Sequence, residues 1–326
     1  MRMNCKMAKN LAGIIIASAI SSTALFGQDR NEVINSYNDG AKAMQTDTKA
    51  AIAAFEKVVA LSDKVGETAA DLKQKAVQVL PGLYVKDASA ALADKKPAAE
   101  VIKLAKTASK VAEKYTNATA RENAAKILSQ GYYNMGTEFF TKKDFPNALL
   151  AFDSVLAINP GFNTAIYNKA LIYRSQNNAA SFEQTIDSYI EKQKDVNGGE
   201  KAKQASLMAL EYFRAAGSKS SQANKLDEAL ALLNKAAKYG DDKDLFYFYA
   251  DVYNKQKNFD NGASYAQKGL DLETGAPEAK AKFYFQLALA QAGKGETAEA
   301  CETFKNAMFG QFAEPSKAQR TILKCK

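Results

Sequence analysis

Small and large apolar residues recur along this chain with helical spacing, and that recurrence constrains its fold more than any other feature. The clearest copy occupies residues 129–162. There Tyr132 and Gly136 are spaced as successive turns of one helix, and Ala148 and Phe152 as one turn of a second. The small residues at 136 and 148 let two helices approach closely, while the aromatic rings fill the space around the contact. The pattern predicts a helical hairpin.

Further copies of the hairpin follow downstream at intervals of about 34, 39, 41 and 38 residues. Their small first-helix residues are Gly136, Ala170, Ala209, Ala250 and Ala288. We expect residues 217–221, with the sequence GSKSS, to form a flexible stretch between the two helices of one hairpin. Upstream, Tyr37 and Gly40 belong to a first hairpin and residues 71–115 to a second, in which Pro81 is expected to kink or restart a long helix.

These residues resemble the tetratricopeptide repeat. That family has a large residue, a Gly and a Tyr at set positions of its first helix, and Ala, Phe and Pro at set positions of its second. Residues 129–162 match this pattern almost throughout. The resemblance extends over most of residues 31–310. It implies an all-α fold, an α-solenoid of about seven hairpins, similar to exported repeat proteins of Bacteroidota. We expect degenerate hairpins over 28–118, the repeat array over 119–310, and a C-terminal capping helix over 311–326 that hides the last apolar face.

The first 27 residues are typical of a secretory signal peptide. A basic stretch with Arg2, Lys6 and Lys9 precedes an apolar run over 11–20 and then small and polar residues. The alternative is a permanent membrane anchor, but the run is shorter than the roughly 18 apolar residues that a membrane span needs. We therefore expect an exported protein, periplasmic or associated with the outer membrane, with no stable membrane span after the signal is removed.

The residue content excludes several kinds of chemistry. The sequence has no histidine and no tryptophan, which rules out Ser-His-Asp and Cys-His catalysis and histidine metal sites. We expect no enzyme activity, no cofactor and no metal. Of 44 basic residues, three lie in the first 27, which leaves 41 against 36 acidic ones, or about +5. This bias is mild, so we expect no nucleic-acid partner.

A second stripe of side chains lies one residue after each core position of the first helices, on the face that the family turns toward its concave groove. It is aromatic with interspersed basic residues. The candidate groove residues are Tyr133, Phe140, Tyr167, Arg174, Phe213, Arg214, Tyr247, Lys255, Lys282 and Phe285. Alternatively, these aromatic residues pack neighbouring first helices together. The family's best-known carboxylate-binding groove needs lysines where this stripe has aromatic residues, so that activity is not carried over.

Two cysteines, Cys301 and Cys325, follow the predicted signal peptide. Cys301 lies near the start of the last hairpin's second helix, and Cys325 ends the closing helix. Consecutive helices joined by a short turn run antiparallel, which brings these ends together, and disulfides persist in exported proteins. We predict a disulfide between them, two independent thiols being the alternative.

The sequence therefore favours a non-catalytic scaffold that binds a protein or peptide partner in the groove. The runner-up is a glycan-binding protein that recognises peptidoglycan or an oligosaccharide, with tyrosines as stacking platforms.

Overall fold

A computed structural model describes residues 30–326, so the predicted signal peptide lies outside the described residues. This part of the chain is helical, with no strand. Its α-helices are α1 (30–43), α2 (Thr48–Val65), α3 (Ala70–Ala93), α4 (Ala98–Lys114), α5 (Ala118–Thr141), α6 (Phe145–Ile158), α7 (Asn163–Ser175), α8 (Ala179–Gln193), α9 (Glu200–Gln222), α10 (Leu226–Ala237), α11 (Lys243–Lys255), α12 (Phe259–Leu272), α13 (Pro277–Lys294), α14 (Thr297–Asn306) and α15 (Ala313–Ile322). Short 3₁₀ turns occupy Glu67–Ala69, Asn197–Gly199 and Gly310–Phe312.

These helices pair into seven consecutive hairpins followed by α15, and the predicted all-α class is confirmed. The chain divides into two compact units, a first up to Asn168 and a second over Lys169–Lys326, with the division inside α7. Within each unit a helix packs mainly on its neighbours in sequence, as in an α-solenoid. The predicted domain boundaries stay predictions.

Six of the seven hairpin turns, those after the turn of α1 and α2, contain a residue with a positive φ just before the next helix. Lys143 (φ 59°) precedes Asp144, which accepts the Asn147 backbone N–H. Gly295 (φ 85°) occupies the same place between α13 and α14. A left-handed residue reverses the chain at once, and the capping side chain satisfies a free N–H of the helix that follows.

The close helix contact predicted at the small residues is present. A Cβ added to Gly136 would lie 2.7 Å from the Phe152 ring, and one added to Gly40 would lie 3.1 Å from the Phe55 ring. Both rings are essentially fully buried. The remaining predicted small positions, which also show no exposed surface, are Ala148, Ala170, Ala209, Ala250 and Ala288. The hairpins of α1 with α2 and of α5 with α6 therefore close over a glycine that faces a buried aromatic ring.

One local prediction was wrong, and one of two alternatives for another was excluded. Residues 217–221 are not a loop but lie inside α9, where Gly217, Ser220 and Ser221 are buried. A Cβ on Gly217 would lie 2.8 Å from Leu233, so this glycine marks a close helix contact, not a turn. Of the two alternatives for Pro81, the restart is excluded, since α3 continues from Ala70 to Ala93, and the kink stays a prediction. Burial of the flanking Leu80 and Leu83, about 2 kcal/mol each, offsets the roughly 3 kcal/mol that an internal proline costs.

The C-terminal helix is joined covalently to the last hairpin. Cys301 and Cys325 form the expected disulfide, with their Cα atoms 5.6 Å apart. The Arg320 guanidinium donates to the carbonyl oxygen of Cys301, and Leu323 packs on the core around Phe304. None of the helices within 30–326 is long and apolar enough to cross a membrane.

Candidate functional site

Three adjoining cavities form a groove in the second unit. The largest, about 880 Å³, lies between the end of α7 and helices α8, α9 and α10. The next, about 470 Å³, is enclosed by α9, α11, α13 and the turn Gly310–Phe312. The third, about 450 Å³, lies between the starts of α11 and α13 and the same turn. Glu211, Arg214 and Ala215 line both the first and the second cavity, and Asp244, Lys282, Gln311 and Phe312 line both the second and the third. We call the three cavities together the groove.

The groove follows from the packing of first helices. Within the second unit α9 contacts α11, and α11 contacts α13. The α9 side chains that line the central cavity are Glu211, Arg214, Ala215 and Ser218, spaced by three and four residues as one helical face requires. The side chains of Ala209 and Leu245, on other faces of α9 and α11, are buried in the core.

Four of the ten predicted groove residues line this groove. Arg214, Tyr247 and Lys282 meet in the 470 Å³ cavity, and Arg174 lies in the 880 Å³ cavity. The Lys282 ammonium lies 5.6 Å from the centroid of the Tyr247 ring, within range of a cation–π interaction.

Phe213 was wrongly predicted as a groove residue. Its side chain has no exposed surface. Its ring centroid lies 5.9 Å from that of Phe182 and 6.0 Å from that of Tyr239, with which it stacks. Successive residues of a helix point about 100° apart. Thus Arg214 faces the groove while the residue before it faces the core.

Phe285 and Lys255 lie beside the groove without lining its cavities. The Phe285 ring packs on Phe304 and Phe312 at centroid distances of 5.8 and 5.5 Å, which supports the wall that Phe312 forms. The Lys255 ammonium lies 2.7 Å from an Asp251 carboxylate oxygen and donates to the Ser221 hydroxyl. Lys255 therefore joins the first helices α11 and α9, whereas Phe285 joins α13 to α14 and to the turn Gly310–Phe312.

In the first unit the predicted aromatic residues make packing contacts. The Tyr133 ring lies 5.9 Å from Phe152 and 5.1 Å from Phe162, and its hydroxyl accepts a hydrogen bond from the Asn168 amide. Phe140 lies 6.1 Å from Phe145. Tyr167 is half-buried on α7. A ligand-binding role for Tyr133, Phe140 and Tyr167 stays a prediction.

The basic side chains at the centre of the groove have acidic partners. Arg214 forms ion pairs with Asp242 and Asp244, and Lys282 with Asp244. Partial burial raises the pKa of Asp244, but the hydrogen bond from Lys282 and the charges of Lys282 and Arg214 outweigh it and lower that pKa below its usual value. Asp242 also caps α11 by accepting the Leu245 N–H. The centre of the groove is thus a neutralised network, not a basic patch.

Sequence reasoning missed these acidic partners. Asp242 and Asp244 stand at the start of α11, where acids ordinarily favour the positive end of the helix dipole. Their pairing with Arg214 on α9 and Lys282 on α13 depends on how the first helices stack. The one available signal in the sequence was that the first helices on either side of α11 each carry a basic residue, Arg214 on α9 and Lys282 on α13.

The repeated hairpins and the groove between first helices define an all-α repeat protein. Residues 215–278, from the end of α9 to the start of α13, match the family described as tetratricopeptide repeat. The chain thus contains tetratricopeptide repeats, as its sequence pattern indicated.

Several solved structures resemble the chain. YrrB, a tetratricopeptide-repeat protein with an unusual peptide-binding site, is 14% identical over 58% of this chain and 91% of its own, with a TM-score of 0.35. A tetratricopeptide repeat protein from Parabacteroides merdae ATCC 43184 is 18% identical over 91% of this chain and 99% of its own, with a TM-score of 0.29. Yeast Tom70 is 16% identical over 90% of this chain and 60% of its own, with a TM-score of 0.31. No curated protein sequence matches the chain significantly.

Proposed function

We propose that this protein is a non-catalytic scaffold that holds a segment of another protein in the groove of its second unit. The observation that carries the proposal is the groove itself, three adjoining cavities lined by aromatic rings and by charges of both signs. Such a lining suits a polypeptide, which offers apolar side chains, charges and backbone hydrogen-bonding groups together.

The groove suits a peptide better than a glycan. Sugar rings stack on open aromatic faces, but the Tyr247 ring is covered by the Lys282 ammonium at 5.6 Å and edged by Phe248 and Phe283 at 5.2 and 6.2 Å. The ring thus already contacts a cation and two aromatic side chains within the protein. This crowding favours a partner that inserts side chains between the first helices.

The chemical content of the chain supports the absence of catalysis in this proposal. The sequence contains no histidine, and within residues 30–326 no group of three or more cysteine, aspartate or glutamate side chains is placed to hold a metal ion. Arg214, Asp244 and Lys282 at the groove centre are tied in ion pairs, so they are not placed as a free acid and base.

The proposal places the protein outside the cytoplasm, on the strength of the basic and apolar order of residues 1–27. Export predicts removal of the first 24 to 28 residues. N-terminal sequencing of the native protein checks this, and an N-terminus at Met1 would contradict it.

The binding role is tested by filling the groove. Ala215 is exposed and lines two of the cavities, so Ala215→Arg places a large side chain in the groove without removing a core contact. The matched control is Ala231→Arg, at an exposed position of α10 that lines none of these cavities. Affinity capture from a source-cell extract should recover partner proteins with the control and lose them with Ala215→Arg. Equal recovery by both variants would overturn the proposal.

A further inference from the structure

Charge is distributed unevenly along the groove. The 880 Å³ cavity is lined by four basic and two acidic side chains, whereas the 450 Å³ cavity is lined by two basic and three acidic ones. The first set comprises Arg174, Arg214, Lys219 and Lys225 with Glu211 and Glu228, and the second comprises Lys243 and Lys282 with Asp244, Glu273 and Glu278. One end of the groove is therefore basic and the other acidic.

Internal ion pairs leave only some of these charges available. Lys225 pairs with Glu228 at 3.5 Å and Lys243 with Glu273 at 2.7 Å, while Arg214 and Lys282 pair with aspartates at the centre.

Among the lining side chains of the described chain, four charges then remain without an ion pair. Arg174 and Lys219 lie at the basic end, Glu278 lies at the acidic end, and Glu211 lines both the 880 Å³ cavity and the central one. The available charge thus has the same polarity as the full lining, with two cations and the Glu211 carboxylate at one end and the Glu278 carboxylate at the other.

The middle of the groove combines the neutralised ion pairs of Arg214 and Lys282 with three aromatic side chains. Tyr247, Phe248 and Phe312 line the central cavity. Neighbouring first helices lie about 10 Å apart when packed, so the path from α7 across α9 and α11 to α13 covers roughly 30 Å. An extended chain advances about 3.3 Å per residue, so the groove accommodates roughly nine residues.

We propose that the groove selects an extended protein segment with segregated charges: carboxylates beside Arg174 and Lys219, apolar side chains at the centre, and basic side chains beside Glu278. This inference rests on the proposed function and adds to it the chemistry and orientation of the bound segment. Complementary charges at the two ends fix the register and orientation of a segment more than they raise its affinity.

Selection from a random library tests this directly. A phage-displayed library of random 12-residue peptides is selected on the full-length protein and counter-selected on the Ala215→Arg variant. Peptides that depend on an open groove should carry Asp and Glu toward one end, Lys and Arg toward the other, and apolar residues between.

Charge reversal at the basic end of the groove tests which end of a selected peptide binds there. Arg174→Glu combined with Lys219→Glu should weaken binding of the selected peptides at least about tenfold, and this effect should shrink as salt screens exposed charges. The matched control is Lys192→Glu with Lys201→Glu, two exposed lysines of α8 and α9 that line no cavity of the groove, and it should leave binding unchanged. A new selection on the charge-reversed protein should lose the acidic block.

The outcomes separate the two proposals. Peptides that need an open groove but show no segregated charges, or that bind the charge-reversed protein equally well, overturn this inference alone. Peptides enriched equally on the protein and on Ala215→Arg, or no enrichment of groove-dependent peptides, overturn the proposed function as well.

Discussion

Reduction of the Cys301–Cys325 disulfide should loosen the C-terminal helix selectively. The bond closes a loop with a sequence separation of 24 residues. Loop-closure entropy then gives a stabilisation of about 3 kcal/mol. Because α15 packs on α14 and the turn Gly310–Phe312, and contacts in a repeat protein are local, we expect most of this loss to fall on the last hairpin and α15.

Hydrogen exchange measures the effect helix by helix. A loss of about 3 kcal/mol corresponds to roughly a hundredfold faster exchange. Amides of α15 should therefore exchange about a hundredfold faster in the reduced protein, and likewise in Cys325→Ser. Amides of α12 in the same sample serve as the control and should change little. Unchanged exchange in α15, or an equal acceleration in every helix, would refute the reasoning.

The same perturbation should reach the groove. Gln311 and Phe312 line two of its cavities and lie within the loop that the disulfide closes. Reduction of the disulfide should therefore weaken the binding of peptides that contact Phe312 at the centre of the groove. Isothermal titration of one selected peptide with oxidised and reduced protein measures this, and identical affinities would contradict it.

Three further changes have predicted effects on stability, each measured by urea denaturation. Gly136→Ala should lower the free energy of unfolding by about 1–3 kcal/mol because the new Cβ meets a buried ring. Gly82→Ala, in open space inside α3, should raise that free energy by about 0.5–1 kcal/mol. If Gly82→Ala were the less stable of the two variants, the packing argument would be contradicted. Phe213→Ala should lower the free energy of unfolding by about 3–5 kcal/mol, as for a core residue. An unchanged free energy would contradict the core position of Phe213. For Asp244 and Glu183 burial raises the pKa, but hydrogen bonds from lysines outweigh it and lower the folded-state pKa below the ordinary 3.8 and 4.5. Their contribution to the free energy of unfolding is thus present above those values and is lost as the pH falls through the lowered pKa values. A urea midpoint that rises between pH 5 and pH 3 would contradict this.

The hairpins were predictable because their determinants are local. Spacing of a small residue and an aromatic ring, as at Gly136 and Phe152, specifies which faces of two adjacent helices meet. The same antiparallel geometry was enough to pair Cys301 with Cys325.

What the sequence did not predict depends on competition between local preference and tertiary packing. Residues 217–221 have the composition of a loop, yet the contact of Gly217 with Leu233 and the burial of Ser221 keep them helical. Pro81 stays inside a helix for the same reason. The ion pairs of Arg214 join residues 28 and more positions apart, and no short-range pattern specifies them.

Site-specific photo-crosslinking tests the central claim, that the groove of the second unit holds a protein segment. A photoreactive residue replaces Ser218, which lines the central cavity, or Ser264, an exposed residue of α12 that lines no cavity of the groove. In source cells we predict adducts with a defined segment of another protein from position 218, lost when Ala215→Arg is added, and none from position 264. Equal adducts from both positions, or adducts from 218 that persist with Ala215→Arg, would contradict the account.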